Sequence, residues 1–303
     1  MTTRMMKLPP ERLTPRRLRA LAAASLAVTF LFQLRAASPV AESMIPALPQ
    51  VYATESPAAE WNAQSFDSII RRDPLEALRL AHQDHRRSVH DYTCTFVKQE
   101  LLPSGLSPEQ VISVKFRARP YSVMMHWLRN ADKAERVVYV QDRWVDAEAA
   151  DPAERDLAVC QPGPIARLLV KSLKMPIRGS LARMTSRRCI DEFGFDRSLE
   201  LLIRYSEIAR QRGELSLAYQ GESEFGGRPT YVIERRLPYN GPGGIYPDRV
   251  AVIHLDRERR IPLCVRCFAD DERSSLLGRY EYRDVDLSAD LPDNAFDPAA
   301  YGM

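Results

Sequence analysis

The sequence predicts an α+β fold: one long, strongly curved antiparallel sheet with helices covering its concave side. Three observations carry this. Most of the chain after residue 90 falls into runs where apolar and polar residues alternate, the period of a half-buried strand. Short turn clusters join these runs, which makes consecutive strands neighbours in a meander, and a long sheet of this kind curls. The two firm helical patterns stand apart, one before the first strands and one between two groups of about five, so they form a separate layer.

In chain order, Asp73-Pro74 opens the first helix, with Asp as cap and Pro at the first helical position. Leu75, Leu78, His82, His85 and Val89 follow at helical spacing as one stripe. DYTCTFVKQELL begins the strands, with Tyr92, Cys94 and Phe96 on one face, and LPSGLSPEQ is a turn cluster. VISVKFRA places Ile112, Val114 and Phe116 on one face against Ser113, Lys115 and Arg117. YSVMMHWL is its partner, with Val123, Met125 and Trp127 sharing a face. RVVYVQ and WVDAE are read as short strands. IARLLVKSLK reads as a helix fenced by Pro162, Pro164 and Pro176, and FDRSLELLIRYSEIARQRG as the second firm helix, stopped by Gly213. The remaining strands are LSLAY, TYVIERRL after a Gly-Gly turn at 226–227, RVAVIHLD, IPLCVRCFA and LLGRYEYRDVDL.

The N-terminus has a different character. A basic stretch, an apolar core from Leu21 to Leu34 and small residues near Ala37 and Ala41 read as an export signal over 1–41. The alternative is a retained anchor, but the apolar core falls short of the ~20 residues that span a bilayer. Residues 42–65, rich in Pro, Ala and Ser, read as a linker, and 66–303 as a single domain. Residues 1–37 hold seven basic residues and one acid, so the net charge of +3 becomes −3 without them. The mature surface is then mixed in sign, with no single field to attract nucleic acid. Five cysteines are an odd number for an exported chain and leave at least one thiol unpaired.

Each local chemical signal has a plainer reading beside it. HQDH at 82–85 has the spacing of a zinc pair, yet both imidazoles lie in the apolar stripe, and no third ligand or HExxH glutamate accompanies them. CVRC at 264–267 has redox spacing but sits in a strand, where residues three apart face opposite ways. GPGG at 241–244 lacks the Lys-Ser/Thr and helix start of a phosphate cradle. No catalytic residue, metal or other cofactor is expected. Arg119-Pro120 is more informative, because proline fixes the junction between two strands rich in large apolar residues. Arg119 is either a surface arginine lying over aromatic faces or a donor to a lid or to a polar ligand head group.

The run from DYTCTFVKQE through VISVKFRARPYSVMMHWL to RVVYVQDRW resembles DUF1571, a domain family of unknown function. More distantly it is similar to the LolA/LppX superfamily of periplasmic lipoprotein carriers. The shared features are a helix leading into a Y/F-x-A-x-F-like strand, an x-R-P strand junction and a closing F-D-P-like segment, here AFDP at 295–298. The resemblance implies an unclosed β-barrel with helices plugging its mouth, an apolar cavity for acyl chains, and a lid held by the arginine matching Arg119. The expected function is that of an exported, non-enzymatic carrier or sensor in the cell envelope, periplasmic or tethered if the signal is kept. It would act as a monomer and bind a lipid or lipidated protein. The expected lining is Ile112, Val114, Phe116, Val123, Met125 and Trp127, with Arg119 as gate. The alternatives are a structural or interaction protein of the envelope with a filled interior, and an enzyme with a dispersed site.

Overall fold

The computed structural model describes residues 63–303. The expected export signal and nearly all of the expected linker lie outside the described residues. Two helices come first, α1 (Ala63–Arg72) and α2 (Pro74–Ser88). Asp73 caps α2 as its sequence implies, accepting from the Glu76 amide at 3.1 Å. α1 begins inside the stretch read as linker; its Phe66, Ile69 and Ile70 are buried.

Twelve strands follow in one sheet. The first group is β1 (Asp91–Leu102), β2 (Gly105–Leu106), β3 (Gln110–Arg117), β4 (Ser122–Arg129) and β5 (Ala134–Val140). Then come β6 (Leu157–Pro162), a single helical turn α3 (Pro164–Arg167), β7 (Leu173–Pro176), a short helix α4 (Ser180–Thr185) and the long α5 (Phe195–Gln211). The second group is β8 (Ser216–Phe225), β9 (Arg228–Arg236), β10 (Val250–Asp256), β11 (Pro262–Phe268) and β12 (Leu276–Asp286). The spatial order is β7-β6-β5-β4-β3-β1-β12-β11-β10-β9-β8, with β2 a side branch on β1. Neighbouring strands run antiparallel throughout. Two meanders are thus joined by the pairing of β1 with β12, and the sheet ends openly at β7 and β8.

The middle of the chain departs from what its sequence pattern predicts. IARLLVKSLK is not one helix: only Pro164–Arg167 is helical, and Leu173–Pro176 pairs with β6. An isolated short helix with no surface to dock on is unstable, whereas a second strand satisfies the open edge of β6. WVDAE is no strand; Val145 makes only an isolated bridge to Asp156.

One face of the sheet carries two adjoining apolar clusters. On β8–β11 the residues Tyr231, Ile233, Ala251, Ile253 and Leu255 pack under α1, α2 and α5. On β1 and β3–β6 the cluster is aromatic and is described below. The other face of β4 and β5 is covered by the chain's end, where Ala295 and Phe296 of the AFDP segment pack on Met124, Val138 and Val140. Arg117 holds that segment by donating to the Leu291 carbonyl at 2.6 Å.

Candidate functional site

The β3–β4 hairpin sets the six expected lining residues in three direct cross-strand pairs: Ile112 with Trp127, Val114 with Met125, and Phe116 with Val123. Strict alternation along both strands puts all six on the helix-covered face, and register continues the surface through Phe96, Cys94 and Tyr92 of β1. Ile112, Val114, Phe116, Val123 and Met125 are buried; Trp127 is half-buried at the margin, where its indole N–H donates to Gln110 Oε1 at 3.1 Å.

A plug that the sequence reading missed lies against this surface: Phe193-Gly194-Phe195, where the chain enters α5. The Phe193 ring meets Phe96 edge-on at 5.1 Å, and Phe195 meets Tyr92 at 4.7 Å and Tyr282 at 4.6 Å. Tyr92 in turn stacks on Phe116 at 4.7 Å. Gly194 is required at this point. Its φ is +101°, and a Cβ there would lie 2.7 Å from the Tyr92 hydroxyl and 3.2 Å from the Phe116 ring. The plug is latched by Tyr121, whose hydroxyl faces the carbonyls of Phe193 at 2.8 Å and Ile190 at 3.0 Å. The available signal was the Phe-Gly-Phe triplet directly before a helix, where glycine between two aromatics marks a close backbone approach.

Arg119 sits in the hairpin turn and is exposed. No hydrogen bond or ion pair involves it among the described residues. The carbonyls of the covering segment are held instead by Tyr121, two residues further on.

The titratable groups nearby are occupied structurally. His82 bonds Asp196 of α5 at 2.8 Å, while His85 is buried edge-on against Phe195 at 5.7 Å. Burial lowers the His85 imidazole to about 4, against the attraction of Asp196 and with the repulsion of His82. On the same face of β1, Lys98 Nζ pairs with buried Glu100 at 2.9 Å, and Ser186 and Tyr280 bond the same carboxylate. Burial opposes its ionisation, but the Lys98 charge and these bonds outweigh that and hold it below the usual range. Among the described residues no three His, Cys, Asp or Glu side chains converge as a metal site, and all five cysteines are free thiols. Burial pushes the CVRC thiols up, Cys264 to about 11 and Cys267 to about 12, the reverse of an activated thiolate.

A family model described as "Protein of unknown function (DUF1571)" matches residues 89–301. No curated protein matches the chain in sequence. Among solved structures, the chain is similar to MucB in the Pseudomonas aeruginosa MucA/MucB complex, at 16% identity over 75% of this chain and 62% of that one, TM-score 0.41. It is similar to a DUF1329 family protein from Desulfovibrio piger at 13% identity, over 75% of this chain and 99% of that one, TM-score 0.38. The Mycobacterium tuberculosis lipoprotein LppX is similar at 13% identity, over 69% and 94%, TM-score 0.31. The chain spans less than two thirds of the length of MucB, and no function follows from likenesses of this size.

Proposed function

The chain belongs to the DUF1571 family, whose function is unknown, and from that premise we propose an exported, non-enzymatic binding protein of the cell envelope. Its apolar concave face takes an acyl chain of a lipid or lipidated protein when the Phe193–Phe195 plug moves aside. One observation carries the reading: the hairpin face is roofed by two aromatic side chains, Phe193 on the loop and Phe195 at the start of α5, with the Tyr121 hydroxyl against the carbonyls of Ile190 and Phe193. A plug of this kind is a guest supplied by the chain itself. Burying one aromatic side chain contributes ~1.5–3 kcal/mol, and an entering acyl chain restores the lost contacts at ~25 cal/mol per Å² of buried apolar area. The exchange is therefore close to balanced before ordering costs. Ile112, Val114, Phe116, Val123, Met125 and Trp127 would line the site. The exposed Arg119 would serve a head group or the displaced loop.

A fluorescent fatty-acid analogue tests this. The expected result is saturable binding that tightens in Phe193→Ala, because the competing ring is gone, and weakens about tenfold in Trp127→Ala. The second reading is an envelope interaction protein with a permanently filled interior. It is favoured by the complete burial of Ile112, Val114, Phe116 and Val123, each at most 2% exposed. Under it neither wild type nor Phe193→Ala binds the probe, and native mass spectrometry of the purified protein finds no lipid.

A further inference from the structure

Eight of the eleven large apolar side chains that are exposed among the described residues lie at one end of one half of the sheet. The register places them there. β1 ends where β3 begins, since Lys98 pairs with Gln110; Val111 faces Arg129 at the end of β4; Ala134 at the start of β5 faces Pro162 at the end of β6; and Cys160 faces Leu173 at the start of β7. The loop 163–172 therefore shares a rim with the turns beside β2 and between β4 and β5. On the loop, Ile165 and Leu168 are each 86% exposed, Leu169 67% and Val170 47%. Leu101, Leu106 and Leu128 extend the patch along the rim. So many large apolar side chains gathered on one rim mark a surface that meets something.

Charge identifies the partner. Residues 157–190 hold seven basic residues and no acid, in a chain whose totals are 43 basic and 40 acidic. The acids on the rim are already paired: Glu109 with Arg129 and Arg279, Asp132 with Lys133 at 3.7 Å, and Glu135 with Arg167 at 2.9 Å. Lys171 and Lys174 are exposed and have no ion-pair partner among the described residues. Adjacent leucines with flanking unpaired lysines match the interface of a bilayer, apolar below and anionic at the head groups. A protein groove would instead require a shaped, rigid face, and this loop has one turn of helix. We infer that this rim is a docking surface for a bilayer carrying anionic phospholipid, with Ile165, Leu168, Leu169 and Val170 entering the interface and Lys171 and Lys174 meeting the head groups. The inference is independent of what the concavity holds.

The full chain, with its N-terminal segment common to all variants, is tested against vesicles of phosphatidylcholine alone and of phosphatidylcholine with phosphatidylglycerol. In Leu169→Trp, the added emission is expected to shift to the blue on phosphatidylglycerol vesicles and to be quenched by brominated acyl chains. Cosedimentation is expected to fall roughly fivefold for each lysine removed in Lys171→Gln and Lys174→Gln, and further in the Leu168→Glu/Leu169→Glu double variant. Emission unchanged by anionic vesicles, or equal sedimentation of the double variant and wild type, overturns the inference. An emission shift that rises with protein concentration without vesicles also overturns it and assigns the rim to a second copy of the chain. Loss of fatty-acid binding leaves this result untouched, so the two readings fail separately.

Discussion

Gly194 is the residue on which the filled site depends most directly. A left-handed backbone and a Tyr92 hydroxyl 2.7 Å from any Cβ exclude a side chain there. Gly194→Ala must strain the backbone and push Tyr92 off Phe116, so we expect a loss of ~2–3 kcal/mol in urea unfolding. A substitution at Gly213, where a Cβ meets nothing within 4 Å, retains only the backbone strain and should cost less. At the same scale, Tyr121 supplies the contact to the covering segment in the plugged state. The Arg119-Pro120 junction offers a charged donor beside a fixed turn, yet the neutral hydroxyl two residues on meets the carbonyls. An exposed guanidinium keeps its water, whereas a phenol is cheap to bury and needs only one partner.

At the scale of elements, α5 joins the two clusters: its first residue, Phe195, is part of the plug and its body covers β8–β11. A buried ion pair beside it also holds it to the sheet. Arg235 of β9 donates to both Asp248 oxygens at 3.1 Å and to the Leu202 carbonyl of α5 at 3.2 Å. Both side chains are 2% exposed, so removing one partner strands the other charge in the interior. Asp248→Ala is expected to cost ~3–5 kcal/mol, read as a lowered denaturation midpoint. Asp248→Asn, which keeps an acceptor, should cost less. The segment 163–176 shows the opposite behaviour. Part of it, IARLLVKSLK, reads as a helix, but a helix there had no apolar surface to bury against, and edge pairing with β6 took over.

For the molecule as a whole, pH dependence follows from where the helices meet. His85 is buried neutral between α2 and Phe195, lowered to about 4 from an ordinary 6.5. Between those values the unfolded chain carries the proton and the folded chain does not, so stability falls as pH drops from about 6.5 towards 4. The contribution reaches up to ~3 kcal/mol, and His85→Leu should flatten it in urea melts at pH 7 and pH 4.5. An unchanged slope in that variant would place the effect on carboxylates such as Glu100, whose lowered range withdraws stability only at more acid pH. By itself the sequence determined β1, β3–β5 and β8–β12, the two long helices, the capped start at Asp73 and the single face shared by the six hairpin residues. Each of these rests on a local period or a local backbone preference, which a chain carries wherever it folds. The tertiary structure alone decided that β1 pairs with β12, that Phe193 and Phe195 occupy the concave face, that Tyr121 meets the carbonyls of Ile190 and Phe193, and that no other part of the described residues covers the apolar rim. Those outcomes depend on which distant surfaces meet, and burial is a property of the pair of surfaces rather than of either stretch of residues.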